Sequence, residues 1–128
     1  MAAPDVPPVK DPDAAHPVAT AWRPLLSEVV RALADGDLQL QRGIAGADAV
    51  SAETADHIRR YLRDYGATLT ELPEAAWETS VAQWMGDCWD VIVDLWTKEE
   101  GPSDLVLAGQ MRDVDGNSRF SIHMVYVP

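Results

Sequence analysis

The chain has 128 residues, of which 47% are hydrophobic and 24% charged, a balance typical of a soluble globular domain. This length supports one domain with a hydrophobic core and is too short for two. The formal net charge of −11 argues against binding to nucleic acid or to anionic membranes, because such binding depends on Lys and Arg at the phosphates.

The sequence contains no apolar segment of the length that a signal peptide or a membrane span requires, so we expect a cytoplasmic protein. Cys88 is the only cysteine, which excludes an internal disulfide and a thiolate metal cluster. We expect no cofactor.

The N-terminal half predicts an arm and two helices. Residues 1–18 contain five prolines and predict a disordered or extended arm, followed by a single α+β domain over residues 19–128. The first helix is expected to begin near Pro24 and to end at Gly36, and residues 37–50 read as loop. The second helix is expected to begin after Ser51 as N-cap and to end at Gly66.

From residue 68 onward the apolar period changes to two, which is typical of strands. A short strand is predicted in "ATLTEL", and four more in "SVAQWM", "CWDVIVDLWT", "SDLVLAGQMR" and "RFSIHMVYV". Their connections "GD", "KEEGP" and "DVDGNS" suit hairpins. We therefore predict an α+β fold with two N-terminal helices packed on one face of a four- to five-stranded antiparallel meander.

The turn positions also predict the register of the strands, and hence which side chains share a face. The predicted opposite pairs are Trp84 with Trp89, Asp94 with Val106, Trp96 with Asp104, Met111 with Phe120, and Ala108 with His123. One face then collects mostly large apolar residues and should receive the helices. The other face mixes acids, Trp96 and small apolar residues, including Asp90, Asp94, Val106, Ala108, His123 and Val125.

The acidity is concentrated in one quarter of the chain. Residues 71–104 contain nine acidic residues and a single cation, Lys98, which gives a local net charge of −8. Such a field attracts and steers a cationic partner. The candidate partner-binding residues are Asp90, Asp94, Trp96, Glu99, Glu100 and Asp104.

Catalytic chemistry has little support in the sequence. Asp90 and Asp94 lie four strand residues apart, roughly 13 Å at about 3.3 Å per residue, whereas glycosidase pairs need roughly 5–9.5 Å. Asp94 and Asp104 are expected at about 7 Å, but at a hairpin end without a cleft. No second histidine is expected near His123 to complete a metal site, and no serine or cysteine is expected near it to act as a nucleophile. We therefore predict no catalytic and no metal-binding residues.

The stretch "VDLWTKEEGPSDLVL" at residues 93–107, with the closing "HMVYVP", resembles a family of small bacterial domains of unknown function. The signature of that family is V-D-L-W-T-x-E-E-G-x-S-D-L-x-L. The resemblance implies no catalytic residues. Small acidic proteins of this kind are also similar to the immunity proteins that accompany bacterial toxins.

These observations predict a non-enzymatic protein-binding domain, and most specifically an immunity protein that neutralises a toxin, such as a basic one, by direct binding. One alternative is a small enzyme or small-molecule sensor that uses the face bearing Asp94, Asp104 and His123. Another is a homo-oligomeric structural protein whose mixed face pairs with itself.

Overall fold

A computed structural model describes residues 5–128, so the part of the arm prediction that concerns residues 1–4 lies outside the described residues. The fold is α+β, with two helices and a five-stranded antiparallel sheet in the order β1-β2-β3-β4-β5. The helices are α1 (Arg23–Ala34) and α2 (Ala52–Tyr65). The strands are β1 (His16–Pro17), β2 (Val81–Trp84), β3 (Trp89–Thr97), β4 (Gly101–Val114) and β5 (Asn117–Tyr126).

Local signals position both helices as predicted. Pro24 lies in the first turn of α1, where its missing N–H has no intrahelical partner. The hydroxyl of Ser51 accepts a hydrogen bond from the backbone N–H of Thr54 and so caps α2. Gly66 ends α2 in the left-handed conformation, with φ of 79°.

The inward-facing residues of β3 form part of the hydrophobic core. Val91, Val93 and Leu95 are fully buried and alternate with half-buried residues along the strand, the pattern of a sheet with one covered face. The same buried cluster includes Leu26 and Val29 of α1. One hydrophobic core therefore contains residues of both the helical and the sheet segments.

The predicted register holds along most of the sheet but is wrong at the tip of the β3–β4 hairpin. Asp94 lies opposite Val106 as expected, whereas Trp96 lies opposite Pro102 and not opposite Asp104. Two extra residues of β4 are accommodated in a bulge, where the Ser103 hydroxyl donates a hydrogen bond of 2.7 Å to the carbonyl of Leu95.

A second irregularity corrects the predicted faces of β5. Ala108 pairs with Met124 and Gly109 with Ile122, so His123 is the extra, bulged residue and does not lie opposite Ala108. Beyond the bulge the alternation is inverted. Val125, which was expected on the mixed face, is fully buried in the core opposite Leu107.

The N-terminal arm and the segment before β2 run along the sheet. The indole N–H of Trp89 donates to the carbonyl of Val9, and the Gln83 amide donates to the carbonyl of Pro12. The predicted strand in "ATLTEL" is reduced to one bridge between Leu69 and Thr97, and a short 3₁₀ helix occupies Glu74–Glu78. Within residues 5–128, no helix combines the length and apolarity needed to cross a membrane.

Gly109 allows β4 and β5 to pack closely at the second bulge, and we expect Gly109→Ala to destabilise the fold. A Cβ at this position would lie 2.4 Å from Cζ of Phe120 and 2.5 Å from the carbonyl oxygen of Ser121. Overpacking of this kind typically costs about 1–3 kcal/mol, measurable as a lower free energy of unfolding in urea.

The double variant Gly109→Ala/Phe120→Leu provides the control for this mechanism. Leucine is smaller than phenylalanine and relieves one of the two clashes. The double variant should therefore lose less free energy of unfolding than the two single variants lose in total. Strict additivity would contradict the proposed clash.

Candidate binding face of the sheet

The sheet face opposite the core carries three of the six candidate residues. Alternation along β3 places Asp90, Asp94 and Trp96 on this side, which we call the outer face, and all three are half-buried. Ile92 lies between the two acids on the same face. The paired strands contribute Gln83, Val106, Ala108, Gln110, Ser121 and Tyr126.

Small side chains in the middle of the outer face leave a shallow pocket of about 260 Å³. Its floor includes Ile92 and Ala108, and its walls include Asp90, His123 and Tyr126. His123 reaches this pocket because it is the bulged residue of β5. The pocket thus brings His123 together with Asp90, and neither Asp94 nor Asp104 lines it.

The other three candidate residues lie at the hairpin end, where two of them already have partners. A carboxylate oxygen of Glu99 accepts a hydrogen bond from the backbone N–H of Thr68. A carboxylate oxygen of Glu100 accepts one of 2.7 Å from the hydroxyl of Tyr65. Asp104 is exposed on the bulged segment of β4. Glu100 therefore anchors the hairpin to the last residue of α2, and Glu99 anchors it to the segment that follows α2.

The two outer-face acids differ from these glutamates in their hydrogen bonding. Among residues 5–128, the carboxylates of Asp90 and Asp94 take part in no hydrogen bond or ion pair, although both side chains are half-buried. A carboxylate without a partner in the chain can accept hydrogen bonds from a cationic group.

A cluster that the sequence reasoning missed flanks the outer face at β5. Asp48 accepts hydrogen bonds from the hydroxyl of Ser121 and from the guanidinium groups of Arg112 and Arg119. The Ser121 hydrogen bond, together with the two arginines, lowers the pKa of Asp48 below its ordinary value despite partial burial. The sequence could have indicated this cluster, because the hairpin turn places Arg112 opposite Arg119 and two facing cations require a counter-charge.

Residues 37–50 lie against the edge of β5. The backbone N–H of Phe120 donates to the carbonyl of Gly46, and that of Asp48 donates to the carbonyl of Phe120. β1 protects the opposite edge by pairing with β2. Residues 37–50 and β1 therefore form main-chain pairs along the two edges of the sheet.

Metal coordination has no visible basis in the part of the chain that the structure describes. No group of three or more His, Cys, Asp or Glu side chains in residues 5–128 is arranged to hold an ion. What the outer face offers is hydrogen-bond acceptors, apolar contact area and one indole, which together suit recognition of a cationic group.

These features define an α+β domain with an acidic sheet face that bears a tryptophan. Residues 30–128 match the model of a family described as a domain of unknown function, DUF7668, and the chain belongs to this family. The predicted membership in an uncharacterised domain family is thereby confirmed. Neither a curated protein nor a solved structure matches the chain.

The Asp48 cluster predicts a specific dependence of stability on pH. Because the folded-state pKa of Asp48 is lowered from 3.8, its contribution is present at neutral pH and is lost as the pH falls through the folded-state pKa. Asp48→Asn should therefore lower the free energy of unfolding by about 1 kcal/mol at pH 7, and the difference from the unmodified protein should be smaller at pH 2.

Chemical denaturation at both pH values measures this difference. Asp115→Asn, which changes the same charge in the exposed β4–β5 turn, is the matched control and should have little effect at either pH. A deficit in Asp48→Asn that persists unchanged at pH 2 would contradict the role of the ionised carboxylate.

The Tyr65 contact predicts an observable titration. The hydrogen bond that its hydroxyl donates to Glu100 raises the pKa of Tyr65 above 10.0, because ionisation would place a phenolate against a carboxylate. Glu100→Gln should lower the pKa of Tyr65 towards its ordinary value, as followed by NMR of the ring carbon bearing the hydroxyl. An unchanged titration would mean that the two groups are not in contact in solution.

Proposed function

We propose that this chain is a non-enzymatic protein-binding domain that binds a cationic protein through the outer face, and most specifically that it is an immunity protein that neutralises a toxin. The observation that carries this proposal is that Asp90 and Asp94 share one face with Trp96, are half-buried, and have carboxylates without a bonded partner within residues 5–128. Acids beside an aromatic anchor are what a basic protein surface requires for recognition.

The proposal includes the arrangement of the layers. We infer that both helices cover the core side of the sheet and leave the outer face available. Support comes from the buried cluster, in which Leu26 of α1 and Ile58 of α2 occur together with Val93 and Leu107 of the sheet.

The candidate residues divide into two roles under this proposal. Asp90, Asp94 and Trp96 would contact the partner, because they lie on the outer face and their side chains take part in no hydrogen bond or ion pair with other residues of the 5–128 segment. Glu99, Glu100 and Asp104 would act mainly through the negative field at the hairpin end, which increases the rate of association.

The two alternatives have weaker support. An enzyme or sensor built on Asp94, Asp104 and His123 would need these groups around one cavity, whereas His123 shares its pocket with Asp90. A homo-oligomer that pairs outer face to outer face would bring Asp90 and Asp94 of two copies together, and like charges in contact are unfavourable.

The decisive experiment uses the protein encoded by the gene next to this one. Co-expression should protect cells from that protein if it is toxic, and the purified pair should bind directly. We expect Asp90→Asn/Asp94→Asn to reduce the association rate constant about tenfold at low salt, and Trp96→Ala to increase the dissociation rate constant by at least tenfold.

Asp113→Asn is the matched control, because Asp113 is an exposed acid at the far end of β4. Its association rate should stay close to that of the unmodified protein. If the neighbouring protein neither binds nor is neutralised, the immunity proposal fails. If binding occurs and the outer-face variants leave both rate constants unchanged, the proposed surface is wrong.

A further inference from the structure

The pocket on the outer face has a size and chemistry of its own, separate from the general negative field. Its volume of about 260 Å³ lies below the range of about 300–1,000 Å³ that is usual for drug-sized ligands and cofactors. A cavity of this size suits a single side chain better than a whole small molecule.

The lining of the pocket combines apolar side chains with a carboxylate. Ile92 and Ala108 provide an apolar floor, and Ala108 is only 6% exposed. Asp90 provides a carboxylate at one side, and the ring of Tyr126 stands on the side of β5. A long side chain with an apolar stem and a cationic end has the matching distribution.

Between the two cationic side chains, arginine fits these groups better than lysine. A planar guanidinium can donate two parallel hydrogen bonds to one carboxylate, whereas the ammonium group of lysine is a point charge. Within residues 5–128 nothing else bonds to the Asp90 carboxylate. Arginine is also among the residues that most often dominate interface energetics.

We propose that this pocket is the receptor for one arginine side chain of the partner protein, with Asp90 as the guanidinium acceptor. The inference rests on the proposed function and specifies its central contact. The stem of the arginine lies on Ile92 and Ala108, and its guanidinium bonds to Asp90. The remaining acids steer the partner towards this contact.

The test measures binding of a capped Gly-Arg-Gly peptide to the full chain by NMR titration, with Gly-citrulline-Gly as the neutral analogue of nearly identical shape. We expect weak, saturable binding of the arginine peptide, with shifts at Ile92 and Ala108. The citrulline peptide should bind at least tenfold more weakly, and a Gly-Lys-Gly peptide several-fold more weakly.

Variants assign the contact to the pocket. Asp90→Asn should weaken binding of the arginine peptide at least tenfold, and Ala108→Leu should do the same by filling the floor. Asp113→Asn removes the same charge from β4 outside the pocket and should keep the affinity within about twofold. Thermal unfolding of each variant establishes that it is folded.

The following results would contradict the inference or the proposed function. Equal binding of the arginine and citrulline peptides would exclude charge recognition, and full binding by Asp90→Asn would exclude the assigned acceptor. Dimerisation of the chain that Asp90→Asn abolishes would identify a second copy as the occupant. A neighbouring protein that binds with unchanged affinity to Asp90→Asn would overturn the inference and leave the proposed function intact. In contrast, arginine-peptide binding without any such partner would support arginine binding by the pocket and overturn the proposed function.

Discussion

The structure depends on the alternation of side chains along β3 between the core face and the outer face of the sheet. Val91, Val93 and Leu95 fill the core, so every acid of this strand must point the other way, since an unpaired charge in the core would cost far more than the fold can supply. Because β3 is flanked by β2 and β4, its outward residues lie away from the sheet edges. Core formation and the placement of Asp90 and Asp94 are thus one constraint.

Two bulges then decide which residues join those acids. The bulge in β4 moves Asp104 away from Trp96 and is stabilised by the Ser103 hydroxyl, which bonds to a carbonyl that the regular ladder would have paired. The bulge in β5 turns Val125 into the core and brings His123 to the outer pocket. Irregularities of this kind commonly re-aim side chains at functional surfaces.

The acids of this chain fall into two physical classes that formal charge does not separate. Asp48, Glu99 and Glu100 are bonded to groups elsewhere in the chain and hold the edge loop and the hairpin in place. Asp90 and Asp94 have no such partner among the described residues and remain available. The net charge therefore overstates the number of carboxylates that are not already bonded to other groups of the chain.

Both helices and two of the three hairpin turns were predictable from the sequence, because capping by Ser51 and Gly66 and the turn at Asp115-Gly116 act over a few residues. The period-two pattern likewise predicted Asp90, Asp94 and Trp96 on one face. The bulges, the Asp48 cluster and the anchoring of Glu99 and Glu100 were decided by tertiary structure alone. The contacts of the Asp48 cluster and of the two glutamates join residues that are 31–73 positions apart in the sequence. A bulge changes which face each side chain occupies without changing the apolar pattern that predicts a strand.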